Sequence, residues 1–454
     1  MRREPSTRCP DGIVALALAI VVAGGAAWGL RAYAWRLAQA HVRIATTGTL
    51  PLKYQTLTLQ RAALASGRVL PLYGSSELTC CGSPYRATEL FASEPTGFGV
   101  FAVGRAGTAD LFFTLTFAAL GPALDGRAVV VSDSPSWFRT RRGVSPAEWQ
   151  SNFLPEVAYA FVFDAPISRH LRKVGAWQML AYRDTLRDDP LLRLSVEDVV
   201  HPTPVARVEA AALAPLGRLA IEALEAQDAL RTVAIIGWKP WLSPEPPARA
   251  QSLDWPRLAS LATKIAKRRD TTNPFGFTDD TFAKLQGRFA FERALALYRA
   301  GRTNRDGLIL PPPTAPEAVM DGSAEWENLR LALGVLREVH ARPLVWTLPL
   351  PGFYDDYTQW SAAARERYYE RYDHVVEHAK VAWLDFRAHE DDRYFVADPG
   401  SHLSPRGWIV ADRALDMFWH RQSLDEIRAA LAALAPTPPP PMRTAVHTEE
   451  HHEG

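Results

Sequence analysis

The hydrophobic pattern of this chain falls into two regimes. The first is a single uncharged run from Ile13 to Leu30, IVALALAIVVAGGAAWGL, about long enough to cross a bilayer as one helix. A cleaved signal peptide has a shorter apolar core, although Gly24 to Ala27 resembles a cleavage site, so the reading is an uncleaved signal-anchor. Arg2, Arg3 and Arg8 favour a cytoplasmic amino terminus, against Arg31, Arg36 and Arg43 on the far side. No second run of that length follows. Residues 1–12 are therefore expected in the cytoplasm and 13–30 in the membrane. The bulk of the chain is expected outside the cytoplasm, in the periplasm if the source is Gram-negative.

In the second regime, short apolar runs end in turn residues and give way to helical patterns. Residues 68–73, 98–103, 129–132, 343–348 and 381–386 read as strands. Helical patterns cover about 109–119, a stretch up to 340, 361–379 and 404–421. Strand–turn–helix repetition predicts an α/β fold with a parallel sheet and helical crossovers. LFFTLTFAAL and VFDAPI are apolar but short, and fit core elements. Residues 31–66 read as a connector and 67–423 as the main domain, with a helical insertion at about 145–233. Within it, 206–233 form one long helix. Residues 236–256, with Trp238, Trp241 and Trp255, read as an irregular surface loop whose aromatics pack rather than line a groove. The end, 424–454, reads as the close of a helix and a proline-rich disordered tail, with His447, His451 and His452 solvated.

Composition narrows the function. A chain of 454 residues that is 47% hydrophobic and 22% charged can bury a sizeable core. A net charge of +1 offers no basic field for nucleic acid. The three cysteines are Cys9, Cys80 and Cys81. An adjacent pair closes only a strained ring, so no disulfide framework is expected, and Cys80 and Cys81 read as buried packing residues. No His/Cys/Asp cluster has zinc-ligand spacing within the folded part. No metal and no cofactor are expected.

Two stretches carry candidate chemistry. Leu70 to Tyr73 lead into Gly74-Ser75-Ser76-Glu77-Leu78, a strand followed by a turn that lifts hydroxyls to the carboxyl edge of a sheet. Far downstream comes Asp398-Pro399-Gly400-Ser401-His402-Leu403-Ser404-Pro405. Acyl transfer needs a nucleophile, a base and donors for the oxyanion. Ser76 or Ser75 would attack, His402 would take the proton, and Asp398 is the nearest carboxylate to orient it. His389 is an equal base by composition, but His402 has the setting of a sheet-edge loop before a helix. Backbone N–H groups at Ser75, Gly104 and Gly107 are the oxyanion candidates.

These blocks, together with Ser134-Pro135-x-Trp137-Phe138, Asn273-Pro274-Phe275-Gly276 and the 349–357 loop, occur in the order found in the DltD family, which the chain resembles from the anchor to about residue 420. The resemblance implies a fold similar to the SGNH hydrolases, a Ser–His–Asp site, and a place in the D-alanylation of teichoic acids. It implies as partners a membrane-bound O-acyltransferase, a D-alanyl carrier protein and an envelope polymer acceptor. Matching Gly74-Ser75-Ser76 to the SGNH Gly-Asp-Ser block puts the nucleophile at Ser76, and His402 matches the family histidine. The family has Asp-x-x-His, whereas three residues separate Asp398 from His402 here, and the SGNH asparagine has no obvious match. Glu77, Ser134, Trp137 and Tyr354, all within these blocks, are groove candidates. The reading is a membrane-anchored serine acyltransferase or esterase acting in D-alanylation. Its alternatives are a docking protein without catalysis and an envelope-glycan esterase.

Overall fold

A computed structural model of the chain describes residues 9–238, 250–268, 320–352, 355, 360–392 and 394–434. The apolar run lies in helix α1 (Cys9–Ala40), whose Gly12–Ala40 part is long and apolar enough to cross a membrane. The helix does not stop where the run does. It continues into the domain, where Ala34 and Ala38 are buried and Arg31 pairs with Glu222 and Glu225.

Residues 31–66, expected as a connector, are part of the folded domain. Helix α2 (Leu57–Ser66) starts at Thr56, whose hydroxyl accepts from the Leu59 N–H, and ends on Gly67 in the left-handed region. Its Leu57, Leu59, Ala62 and Ala63 are buried. The reason is the apolar spacing of that helix, which needs a surface to cover.

After it come β1 (Val69–Tyr73), α3 (Ala87–Ser93), β2 (Gly99–Val103), α4 (Asp110–Leu120) and β3 (Ala128–Asp133). The helical insertion holds α5 (Pro146–Asn152), α6 (Pro155–Phe163), α7 (Arg169–Leu180), α8 (Arg183–Leu186), α9 (Pro190–Val200) and α10 (Pro204–Trp238). Then follow α11 (Trp255–Arg268), α12 (Glu325–Glu338), β4 (Arg342–Thr347), α13 (Ala362–Ala379), β5 (Ala382–Asp385), α14 (Pro405–Trp419) and α15 (Leu424–Ala432). Helix α15 also belongs to the domain, with Ile427 and Leu431 buried. Of the 236–256 stretch, only 239–249, which includes Trp241, lies outside the described residues, and Trp255 opens α11 with its ring packed into the core.

The five strands form one parallel sheet in the order β2-β1-β3-β4-β5. Side chains on a strand alternate between faces, and here both faces are covered. Val69, Tyr73, Val129, Val131 and Val345 join one core. Leu70, Leu72, Val130, Leu344 and Trp346 join the other. This is why the strands read as continuous apolar runs. Helix α4, apolar apart from Asp110, Thr114 and Thr116, is buried along its whole length. From β1 the chain steps outward to β2, then returns to place β3 on the other side of β1. Open α/β sheets form their crevice at the carboxyl ends of strands that flank such a reversal.

Candidate active site

The turn after β1 is set by close packing. A Cβ on Gly74 would collide with Glu77 Oε1, the atom that accepts the Ser75 N–H at 2.7 Å. Beyond it Ser76–Leu78 form one short 3-10 turn, closed by Thr79 N–H to the Ser76 carbonyl at 3.0 Å. Ser76 stands half-buried at the sheet edge, whereas the Ser75 hydroxyl points to the Arg105 carbonyl at 3.3 Å. The two serines are thereby sorted, and only Ser76 faces the histidine.

His402 sits in the loop closed by an antiparallel bridge of Val396 with Leu403, just before the start of α14. The Ala397 N–H donates to the His402 carbonyl at 2.7 Å, and the Ser404 hydroxyl caps α14. Ser401 takes a left-handed φ of 63° to make the bend. The loop is braced from β3, because the hydroxyls of Ser134 and Ser136 both donate to the Gly400 carbonyl, at 3.3 and 3.2 Å. With the loop held so, His402 Nε2 lies 2.7 Å from Ser76 Oγ, and Nδ1 lies 2.5 Å from Asp398 Oδ2. The other carboxylate oxygen, Oδ1, accepts the Gly400 N–H at 2.8 Å. His389 is engaged elsewhere. It is buried, stacked on Phe395, with Nδ1 3.4 Å from Asp392 Oδ2.

The electrostatics favour a basic imidazole. Burial draws the His402 pKa down, but the Asp398 hydrogen bond and charge, with the Glu77 charge, outweigh it and leave the value raised above the usual 6.5. Glu77 is raised by burial, against hydrogen bonds from Ser75 and Ser132 and the charge of His402. Deeper lies a group of buried acids. Burial pushes Asp133 up to about 7, against hydrogen bonds from Tyr372, at 2.6 Å, and Asp110. Asp110 and Glu325 are raised by burial too, and Glu325 Oε1 accepts the Asp110 N–H at 2.9 Å.

Several expectations need correction. The Ser75 and Gly104 N–H groups cannot serve an oxyanion, since Glu77 takes the first and Gln55 Oε1 takes the second at 2.7 Å. Gly107, with φ at 85°, packs against Asn152 on α5, whose Nδ2 donates to the Ala106 carbonyl at 3.0 Å. Glu77 and Ser134 are buried braces rather than groove walls. Trp137 is half-buried against the first core. Tyr354 and the 273–276 turn lie outside the described residues. Cys80 and Cys81 are not packing thiols: they are half-buried and joined by a disulfide. Gln55 and Ser136 were not foreseen. Neither carries a spacing signal, because each acts on a backbone group far away in sequence.

Among the described residues, one group of potential metal-binding side chains has its donor atoms within 4.8 Å of one another: Cys80, Cys81, Asp398 and His402. With its two sulfurs bonded to each other, the group has no thiolate to offer a soft cation.

Compared with known proteins, the sequence matches the DltD protein family over residues 49–420. It is similar to Protein DltD of Bacillus subtilis (strain 168), 26% identical over 379 residues, covering 83% of this chain and 89% of that one. It is also similar to Protein DltD of Lacticaseibacillus rhamnosus, 22% identical over 393 residues, 84% and 85% of the two chains. A third relative, Protein DltD of Staphylococcus aureus (strain NCTC 8325 / PS 47), is 19% identical over 357 residues, 79% and 82% of the two.

Proposed function

The chain belongs to the DltD family, and from that premise we propose that it is a membrane-anchored, extracytoplasmic serine acyltransferase that carries D-alanyl groups to a cell-envelope polymer. The observation that carries the reading is the line Ser76 Oγ, His402 Nε2, His402 Nδ1, Asp398 Oδ2, with its two gaps at 2.7 and 2.5 Å. A hydroxyl, an imidazole and a carboxylate in that order are the parts of an activated nucleophile.

In the proposed reaction Ser76 Oγ attacks the carbonyl of a D-alanyl thioester or ester while His402 Nε2 takes its proton. Asp398 holds the tautomer with the proton on Nδ1 and, with Glu77, stabilises the imidazolium. The carbonyl bond to the leaving group breaks, and that group departs with the proton from Nε2. A D-alanyl ester on Ser76 remains. An acceptor hydroxyl then gives its proton to Nε2 and attacks the same carbonyl; the bond to Ser76 Oγ breaks, and Nε2 returns the proton to that oxygen. The donor side falls to the D-alanyl carrier protein and the membrane-bound O-acyltransferase implied by the family, and the acceptor is a teichoic acid or another envelope glycan. Hydrolysis uses the same groups with water as acceptor, so the site alone supports an esterase equally. A docking role without catalysis has less support, because the extra residue before His402 leaves Asp398 in bonding range.

The test is made in a strain whose envelope D-alanine ester depends on this gene. Ser76→Ala is expected to abolish the ester while the protein still accumulates, and an unchanged ester content would refute the reading. Labelling of the purified protein by a fluorophosphonate at Ser76, lost in His402→Ala, is the accompanying chemical check.

A further inference from the structure

The Cys80–Cys81 disulfide lies against the acid of the site. Its sulfurs are 3.5 and 3.6 Å from Asp398 Oδ2, the oxygen that also meets His402 Nδ1. A disulfide has no S–H, so both are contacts that give the carboxylate no proton, and Oδ2 keeps its lone pairs for the imidazole. The pair is the direct continuation of the nucleophile turn: the Cys80 N–H donates to the Ser76 carbonyl at 2.8 Å. Cys81 adopts a left-handed φ of 67°. Cys80 and Cys81 are themselves only half-buried, between the exposed Thr79 and Gly82, which leaves the bond a path to a reductant in solution.

We infer that the vicinal disulfide is a redox-governed positioning element: oxidised, it leaves Asp398 to orient His402, and reduced, it diverts Asp398 to two thiols and slows the serine. The inference rests on the proposed roles of His402 and Asp398. A dithiol supplies the change. Its thiolate attacks one sulfur, the Cys80–Cys81 bond breaks, and a mixed disulfide forms. The second thiol of the reductant then displaces the protein sulfur. Two electrons and two protons pass to the cysteines, and the reductant leaves as its own disulfide. The freed thiols sit beside a carboxylate in a half-buried place, which disfavours the thiolate, so both remain S–H donors. Oδ2 then has three donors to serve instead of one. Its bond to Nδ1 weakens, and of the two acids that sustain the imidazolium, Asp398 and Glu77, only Glu77 keeps its full effect.

The experiment uses the full chain in detergent micelles, oxidised and then reduced with dithiothreitol, with a chelator throughout. Two quantities are read: the pH titration of the His402 imidazole by NMR, assigned with His402→Gln, and the rate of fluorophosphonate labelling at Ser76. On reduction the His402 pKa is expected to fall by about half a unit. At a pH where the imidazole is neutral in both states, labelling is expected to slow about twofold, because the weaker base takes the Ser76 proton less readily. Reoxidation should restore both, and the Cys80→Ala/Cys81→Ala double variant should not respond to reductant. An unchanged titration and rate in reduced wild-type protein overturns the inference, as does an equal response in the double variant. Should that variant fail to fold, the wild-type comparison decides alone. The two readings separate cleanly. A shifted imidazole with Ser76 unlabelled in either state sinks the serine mechanism and keeps the switch, whereas steady labelling in both states does the reverse.

Discussion

Asp398 reaches His402 across three intervening residues, and both carboxylate oxygens are used. Oδ2 meets Nδ1, and Oδ1 accepts the Gly400 N–H at 2.8 Å. A carboxylate fixed at both oxygens has one orientation, so the imidazole it holds has one tautomer, with Nε2 left to accept from Ser76.

Asp398→Asn should therefore change the pH profile as well as the rate. His402 acts as a base only when neutral, so activity rises with pH through its pKa. That value stands above 6.5 because the Asp398 bond and charge, with the Glu77 charge, outweigh burial. Without the carboxylate, burial prevails and the acidic limb moves to lower pH. The maximal rate falls by about 10²–10⁴-fold, since the amide favours the wrong tautomer. The rate of Ser76 labelling between pH 5 and 9 measures both effects. A limb that stays in place would show that Asp398 does not sustain the imidazolium.

Gly104→Ala should disrupt the junction between β1 and β2. At φ 126° the backbone is one that side chains rarely adopt, and an added Cβ would overlap the Gly74 carbonyl oxygen. That carbonyl also accepts the Thr108 hydroxyl at 2.8 Å, so neither side can retreat freely. The expected loss is about 3 kcal/mol or more, read from chemical denaturation of the full chain in detergent.

Asp110→Asn should stabilise the fold at high pH. Asp133 has its folded pKa raised from 3.8 to about 7, with burial as the largest cause. Between those values the folded state binds more protons than the unfolded state, so stability falls as pH rises through that window. An Asn at 110 supplies a permanent donor to Asp133 and removes one buried charge next to it. Above pH 7 the variant is expected to exceed wild type by about 1–2 kcal/mol, with a smaller gap near pH 4. Melting temperatures at pH 5 and 8 test the sign, and a gap that does not widen with pH would count against shared protons in this cluster.

Much of the fold was readable because of its two-sided burial. Each strand had to be apolar on both faces, so 68–73 or 343–348 stood out between turn residues and met Val69–Tyr73 and Arg342–Thr347 within a residue. The meeting of Ser76 and His402 was readable for a related reason, since both follow the carboxyl ends of strands in one sheet. What escaped the sequence depended on φ angles and distant side chains. The bend that brings Asp398 to His402 uses Ser401 in the left-handed region. The same kind of bend at Cys81 accompanies the adjacent disulfide that spacing argued against. Gly104 looked available as a donor because its partner, Gln55, arrives from a segment that pattern alone had set outside the domain.

The continuity of α1 has a consequence for how the domain is aimed. A bilayer that grips the apolar part of this helix also grips the domain, because the same rigid rod enters the core at Ala34 and Ala38 and is clasped by Glu222 and Glu225. From Arg31 to Ala40 the rod rises only about 15 Å, so Ser76 has a set height and compass bearing rather than the sweep of a tethered head. Each residue added within the helix just before Arg31 would turn that bearing by about 100°. A neighbour in the membrane would feel this as a loss of phase, while the spacing of Ser76, His402 and Asp398 stayed intact.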